Sequence, residues 1–301
     1  MVKKLIYDVI VIGRGPAGIS CAVYTTRANL KTLIVGKFDS SLLKADKIEN
    51  YYGFEMPISG KTLLETGEKQ AQRLGTEILT DEVMGIEKTE HFIIKCINGE
   101  YEAKAVLLAP GAPVIKAPVK GIEKFEGKGI SYCTTCDGFF YRNKTVGVLG
   151  YTDYAIHEST ELLPFTKYIT LYTNGKELEI SDAYKEKIAS FKINTKKIKV
   201  IKGQEALESI EFEDGITDHL NGLFIAYGSA SGSSFALKMG ITMNGKSIAI
   251  NEKMETNIEG LFSAGDSTGV FKQISVAVGQ GAIASKGIIE YVRKHKDTTI
   301  V

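Results

Sequence analysis

The chain is short of cysteine, proline and net charge, and each shortage removes a class of protein. Four cysteines in 301 residues are too few for a disulfide framework. A structural zinc site is disfavoured as well, because it wants four Cys or His ligands. Cys21 and Cys96 are solitary and no histidine flanks Cys133 and Cys136. Lys and Arg number 37 against 36 Asp and Glu, so no global field argues for nucleic acid or a membrane surface as partner. No apolar run reaches the ~18 residues that a membrane span needs. The stretch from Met1 to Asp8 runs into a strand-like segment with no small-residue cleavage site, which predicts a cytoplasmic protein. What remains, 44% hydrophobic and 24% charged, is enough apolar material for two domains.

Residues 6 to 12 form an apolar run rich in β-branched side chains, followed by Gly13-Arg14-Gly15-Pro16-Ala17-Gly18 and a helical pattern to about Asn29. A second strand over Lys31 to Val35 completes a β-α-β unit, the context in which GxGxxG signals a dinucleotide site. Gly13 permits the tight turn, Gly15 lets the backbone approach a pyrophosphate, and Gly18 allows close packing of helix on strand. Pro16 suits the first helical turn, where its missing N–H is not needed. The acid that would hold a ribose at the end of the second strand is missing from Leu33-Ile34-Val35-Gly36, and Asp39 falls in the loop beyond.

Ser59 to Leu74 reads as a helix closed by Gly75, Asn98-Gly99 as a turn, and Ala105 to Ala109 as a buried strand. Four of the six prolines fall between residues 57 and 118, which predicts a domain crossover near Pro110-Gly111-Ala112-Pro113. From Lys144 the same unit recurs: a strand over Val146 to Leu149, a helix from about Asp153 to Leu163, and a strand over Tyr168 to Tyr172. The chain is expected to cross back near Ile225 to Gly228, and a long helix is expected from Gln273 to Tyr291. Cys21, in a helix, and Cys96, in a strand, read as small buried hydrophobes.

Cys133-Thr134-Thr135-Cys136-Asp137 announces dithiol chemistry. A thiolate attacks, a second thiol two residues away resolves the mixed disulfide, and an acid moves a proton. Asp137 fits the last role or that of a turn carboxylate.

The GxGxxG loop, Ile48-Glu49-Asn50-Tyr51-Tyr52-Gly53-Phe54, the run from Cys133 to Tyr141, and Leu261-Phe262-Ser263-Ala264-Gly265-Asp266 together resemble the low-molecular-weight thioredoxin reductases over essentially the whole chain. The resemblance implies an α/β fold of two Rossmann-like (three-layer ββα) nucleotide-binding domains, the second inserted into the first. Residues 1–114 and 229–301 would form a discontinuous FAD domain, and 115–228 a central domain. It places FAD against Gly13, Gly15, Pro16, Ala17, Gly18, Ala109 and Gly265, with Asp266 on the ribityl chain and Asn50 near the ring. Gln273 and Ile274 would direct a helix N-terminus, favourable to negative charge, toward that ring. Cys136 is implied on the flavin side, Cys133 as the attacker of the partner's disulfide, and Asp137 as the proton carrier. A homodimer is implied too.

The departures are as informative. NADPH-using members carry GxGxxA in the second loop and a His-Arg-Arg-type motif after the next strand. Here the loop is Gly150-Tyr151-Thr152-Asp153-Tyr154-Ala155, and Thr173-Asn174-Gly175 follow Tyr172. Losing two charge-assisted partners is expected to weaken NADPH roughly 10²- to 10⁴-fold, so no NADPH use is expected. Asp153 is not part of this case, and His157 reads as a helix-surface residue. Ser40-Ser41-Leu42-Leu43 stands where relatives carry Gly-Gly-Gln-Leu.

The pattern is similar to the ferredoxin-dependent flavin thioredoxin reductases, with ferredoxin and thioredoxin as partners. Three alternatives are NADPH bound by other contacts, a further cofactor such as a second FAD in the central domain, and a non-enzymatic flavin redox sensor. Lys185 to Lys202 holds seven lysines against one acid, Glu186, either a solvated face or a steering patch for an acidic partner.

Overall fold

The first strand, Ile6–Ile12, is buried along most of its length, as its β-branched run requires of a parallel strand covered on both faces. It pairs in parallel with Thr32–Val35 on one edge and with Glu100–Leu108 on the other. This computed structural model describes residues 5–111, 117–230, 232–269 and 271–296. The fold is α/β, with two compact units: Met1–Pro113 with Ser231–Val301, and Val114–Ala230. Each carries its own Rossmann-like β-α-β layer, and the second is inserted into the first. The crossover expected between residues 114 and 115 lies outside the described residues.

In the first unit, Glu100–Leu108 changes partners along its length within one seven-stranded sheet. Its first half pairs antiparallel with Phe92–Cys96, which pairs with Val83–Lys88, while its second half pairs in parallel with Leu261–Ser263. Val9, Val11, Ile34, Leu107, Phe262 and Ile288 fill the core between sheet and helices. Each such side chain removed from water contributes about 1.5–3 kcal/mol. Helix Gly60–Arg73 starts where Ser59 Oγ accepts the Thr62 N–H at 3.1 Å, and Gly75 (φ 104°) follows its end. The last helix, Ile274–Lys296, lies against the opening helix, Pro16–Arg27; a Cβ on Gly281 would stand 2.2 Å from the Ala17 carbonyl oxygen.

In the second unit a parallel sheet runs in the order Lys192–Asn194, Ile169–Tyr172, Val146–Leu149, Gly222–Ile225, Ile130–Ser131, with helix Asp153–Leu162 following its central strand. A separate antiparallel sheet joins Ile198–Lys202, Ser209–Phe212 and Thr217–His219. Its side chains Ile201, Ile210 and Phe212 share a core with Leu149 and Leu223.

That second sheet decides the lysine run. Lys196 pairs with Asp214 at 2.7 Å, Lys197 with Glu213 at 2.8 Å, and Lys199 with Glu211 at 2.7 Å, while Lys202 also reaches Glu211. Lys185 pairs with Asp182 at 2.6 Å. Five of the seven lysines thus sit in ion pairs on a solvated face, with Lys199 and Lys202 sharing one carboxylate.

Candidate active site

The first strand-to-helix turn separates its glycines by task. A Cβ on Gly13 would stand 2.1 Å from the Ala109 carbonyl oxygen, and φ there is 116°, so only glycine makes this turn without strain. A Cβ on Gly18 would stand 2.2 Å from the Gly13 carbonyl oxygen and 2.9 Å from Val11 Cγ1, so Gly18 seats helix on strand. At Gly15 a Cβ would meet nothing within 4 Å. Backbone is bared there beside the helix N-terminus, the arrangement that receives a pyrophosphate.

Gly15 opens on a cleft of about 180 Å³ whose lining belongs to the first unit. Pro16, Ala17, Ala109, Gly265, Asp266, Gln273 and Ile274 also line it. The Gly265 N–H donates to Gln280 Oε1 at 2.7 Å, which also accepts from Thr268 Oγ1 at 3.2 Å; this fixes the turn that presents Asp266. Asn50 Nδ2 donates to Gln273 Oε1 at 2.9 Å, tying the Asn50 loop to the start of the last helix. Every residue expected to touch a flavin therefore lies on this cleft, supports it from the turn behind, or, for Asn50, is bonded to a residue that lines it.

In the second unit Cys133 and Cys136 form a disulfide, with Cα atoms 5.3 Å apart. Cys133 is buried and Cys136 is exposed. The Cys136 N–H donates to Cys133 Sγ at 3.1 Å. Buried Ser131 donates through Oγ to Asp137 Oδ2 at 2.6 Å and accepts the Cys133 N–H at 3.0 Å, so one hydroxyl links the acid to the first cysteine. Thr134, between the cysteines, donates to Glu158 Oε2 at 2.6 Å, and both groups are buried. Burial first and the nearby Asp137 carboxylate second raise the Tyr141 hydroxyl above its ordinary range. The other thiols are inert by placement: burial, then Asp81, pushes Cys96 up to about 12, and burial alone pushes Cys21 higher.

A glycine-cradled cleft and a redox dithiol on two nucleotide-type units define a disulfide oxidoreductase architecture. The profile of the pyridine nucleotide-disulphide oxidoreductases matches residues 7–281. The chain belongs to that family. It is 33% identical over 312 residues to the thioredoxin reductase of Bacillus subtilis (strain 168), covering 99% of this chain and 98% of that protein. Among solved structures it is similar to the atypical thioredoxin reductase TRi of Desulfovibrio vulgaris Hildenborough, at 39% identity, 96% and 98% coverage and a TM-score of 0.93. A ferredoxin-flavin thioredoxin reductase of Clostridium acetobutylicum aligns at 30% identity, 96% and 99% coverage and a TM-score of 0.72.

Within this pyridine nucleotide-disulphide oxidoreductase the second loop is built differently from the first. Gly150 makes the turn, since a Cβ there would stand 2.2 Å from the Ala226 carbonyl oxygen. Thr152, at the position matching Gly15, instead donates through Oγ1 to the Gly228 carbonyl at 2.5 Å. Tyr151 packs edge-on against Tyr227 at 5.1 Å. Past the next strand, Thr173 is fully buried, and Asn174 turns inward to accept the Ile198 N–H at 2.8 Å. Lys197, beside Gly175, is paired with Glu213. His157, expected on the helix surface, lies on helix Asp153–Leu162 but is part-buried, 3.5 Å from the Tyr184 hydroxyl.

Ser40, Ser41 and Leu42, singled out in the sequence as departing from the Gly-Gly-Gln-Leu of relatives, line the cleft, and so does Lys272, which sequence reasoning missed. Gln280, Ser131 and Glu158 carried no motif signal, because each acts through a contact made by folding.

Proposed function

We propose that this chain is a thioredoxin reductase that takes electrons from reduced ferredoxin rather than NADPH and passes them through one FAD per subunit and the Cys133/Cys136 pair to thioredoxin. Its family makes it a flavin-dependent disulfide oxidoreductase of the thioredoxin reductase type. The observation that carries the finer reading is the contrast of the two loops: Gly15 leaves bare backbone, whereas Thr152 and Tyr151 fill the equivalent place and Asn174 points inward. The Clostridium acetobutylicum relative, named a ferredoxin-flavin thioredoxin reductase, supports the same donor.

A bound FAD supplies the conversion of single electrons into a pair. Gly13, Gly15, Pro16, Ala17, Gly18, Ala109, Asn50, Gly265, Asp266, Gln273 and Ile274 are the residues to hold it. Two electrons and two protons break the Cys133–Cys136 bond, with Asp137 moving a proton. Cys133, as thiolate, attacks one sulfur of the thioredoxin disulfide; Cys136 then attacks Cys133 Sγ, releases the thioredoxin dithiol and restores the internal bond. Because Cys133 is buried, it must be uncovered before it can attack. With plant-type ferredoxins near about −400 mV and thioredoxin near about −270 mV, the two-electron transfer releases roughly 6 kcal/mol. A cytoplasmic homodimer is the expected setting, and no described helix is long and apolar enough to cross a membrane.

The test is anaerobic and spectroscopic. Reduced ferredoxin bleaches the flavin band within the turnover time, while NADPH and NADH at ten times the protein concentration do not. Saturable bleaching by micromolar NADPH rejects the proposed donor.

A further inference from the structure

A serine hydroxyl has a single hydrogen to donate and a pair of lone pairs with which to accept. Ser131, at the end of the short strand Ile130–Ser131, meets the dithiol turn at three points. Its Oγ accepts the Cys133 N–H at 3.0 Å, donates to Asp137 Oδ2 at 2.6 Å, and stands 3.3 Å from the Cys133 carbonyl oxygen. A single hydrogen thus has two acceptors in reach. The same carbonyl accepts the Asp137 N–H at 3.1 Å, so backbone and side chain of the acid are both tied to the residue that carries the buried sulfur.

The choice between the two acceptors follows the proton on Asp137. While the carboxyl is ionised it can only accept, and the serine hydrogen points at Oδ2. Once Oδ2 is protonated, its O–H can donate to Ser131 Oγ, and the serine hydrogen turns to the Cys133 carbonyl. Every bond the hydroxyl can make is then made. In both states the carboxyl is held against the same oxygen, and Ser131 is only 5% exposed, so bulk water does not compete for the place. The Tyr141 hydroxyl, raised above its ordinary range by burial and then by Asp137, keeps its own proton and does not take part.

We propose that Ser131 is the positioning residue for proton transfer by Asp137, a rotor that holds the acid in place in both protonation states by turning its hydrogen between Oδ2 and the Cys133 carbonyl. This rests on the reading of Asp137 as the proton carrier. When Cys136 attacks Cys133 Sγ of the mixed disulfide, Asp137 takes the proton of the Cys136 thiol and the serine hydrogen swings to the carbonyl. The Cys133–Cys136 bond forms as the bond to thioredoxin breaks, the electron pair leaves on the thioredoxin sulfur, and Asp137 gives that sulfur the proton. The serine hydrogen then returns to Oδ2. Ser131 neither gains nor loses a proton.

The test is a single turnover, in which enzyme reduced stoichiometrically with dithionite is mixed anaerobically with oxidised thioredoxin and the thioredoxin dithiol is quantified after acid quench. The natural electron donor does not enter. Ser131→Ala is expected to slow the limiting rate about 10- to 100-fold and to raise its solvent deuterium isotope effect, with the half-saturating thioredoxin concentration changed less than about 2-fold. Ser131→Thr, which keeps the hydroxyl, recovers most of the rate, and far-UV circular dichroism checks that both variants fold. In an Asp137→Asn background, Ser131→Ala should cost less than about 2-fold, because the serine acts only through the acid. A hydroxyl that merely held the Cys133 N–H would give losses that multiply. That outcome, or an unaltered rate in Ser131→Ala, overturns the rotor alone. An unaltered rate in Asp137→Asn overturns the proton-carrier reading on which it rests.

Discussion

Gly13 and Gly150 open their strand-to-helix turns in the same way, each against a carbonyl oxygen that a Cβ would approach to 2.1 and 2.2 Å respectively. Two residues on, the loops part: Gly15 faces open space, while Thr152 spends its hydroxyl on Gly228 and Tyr151 leans on Tyr227. The residues that make the turn are retained in both units, and the residue that admits a ligand is retained in one. A glycine required by the backbone is held by the stability of the whole unit.

This comparison can be broken or sharpened by substitution. The largest effect belongs to the dithiol: Cys136→Ser should reduce thioredoxin turnover to background in a ferredoxin-coupled assay, while flavin content stays at the unsubstituted level. Next, Gly15→Val should fill the open cradle and lower FAD affinity by more than about 100-fold, with the melting temperature of flavin-free protein unchanged. A Gly15→Val protein that purifies fully yellow breaks the assignment of the first loop.

The turn glycines should behave alike. Gly13→Ala is expected to cost about 2–4 kcal/mol in urea unfolding, from overpacking and a positive φ, and Gly150→Ala about 1–3 kcal/mol from overpacking alone. A neutral Gly150→Ala would show that the second turn has relaxed along with its ligand site.

Tyr151→Gly with Thr152→Gly should raise the rate of flavin bleaching by NADPH less than about 10-fold, because removing bulk does not restore the missing basic partners. A larger gain would identify steric exclusion, rather than lost charge, as the main barrier to NADPH. The smallest effect is expected at the lysine run. Replacing Lys196 and Lys199 by Glu should change the ferredoxin-coupled rate less than about 3-fold at physiological salt, since their charges are already matched by Asp214 and Glu211.

Much of the fold was legible because its signals are local. The β-branched run of Ile6–Ile12, the glycine spacing behind it and their recurrence from Val146 set two β-α-β layers, and the observed elements agree to within a few residues at most of their ends. The helix expected from Gln273 to Tyr291 runs Ile274–Lys296, five residues past its expected end. The lysine run shows where local reading fails. Its seven lysines and one acid look like a charged patch in sequence, but Glu211, Glu213 and Asp214 come from the next strand and the turn after it.

Spacing along the chain by itself determined the two β-α-β units, the glycine-cradled nucleotide loop and the dithiol, while the inserted-domain fold and the departures of the second loop were legible through the resemblance to the thioredoxin reductases. The units, the loop and the dithiol depend on residues within a few positions of one another, whose backbone demands are the same in any surroundings. Only tertiary structure decided that Glu68, 54 residues from Arg14, closes a two-pronged ion pair with it, that Glu158 anchors Thr134 from 24 residues away, and that Ser131 joins Asp137 to Cys133. A carboxylate or hydroxyl acquires such a role from the donor that folding brings within about 3 Å of it, and no pattern along the chain encodes that distance.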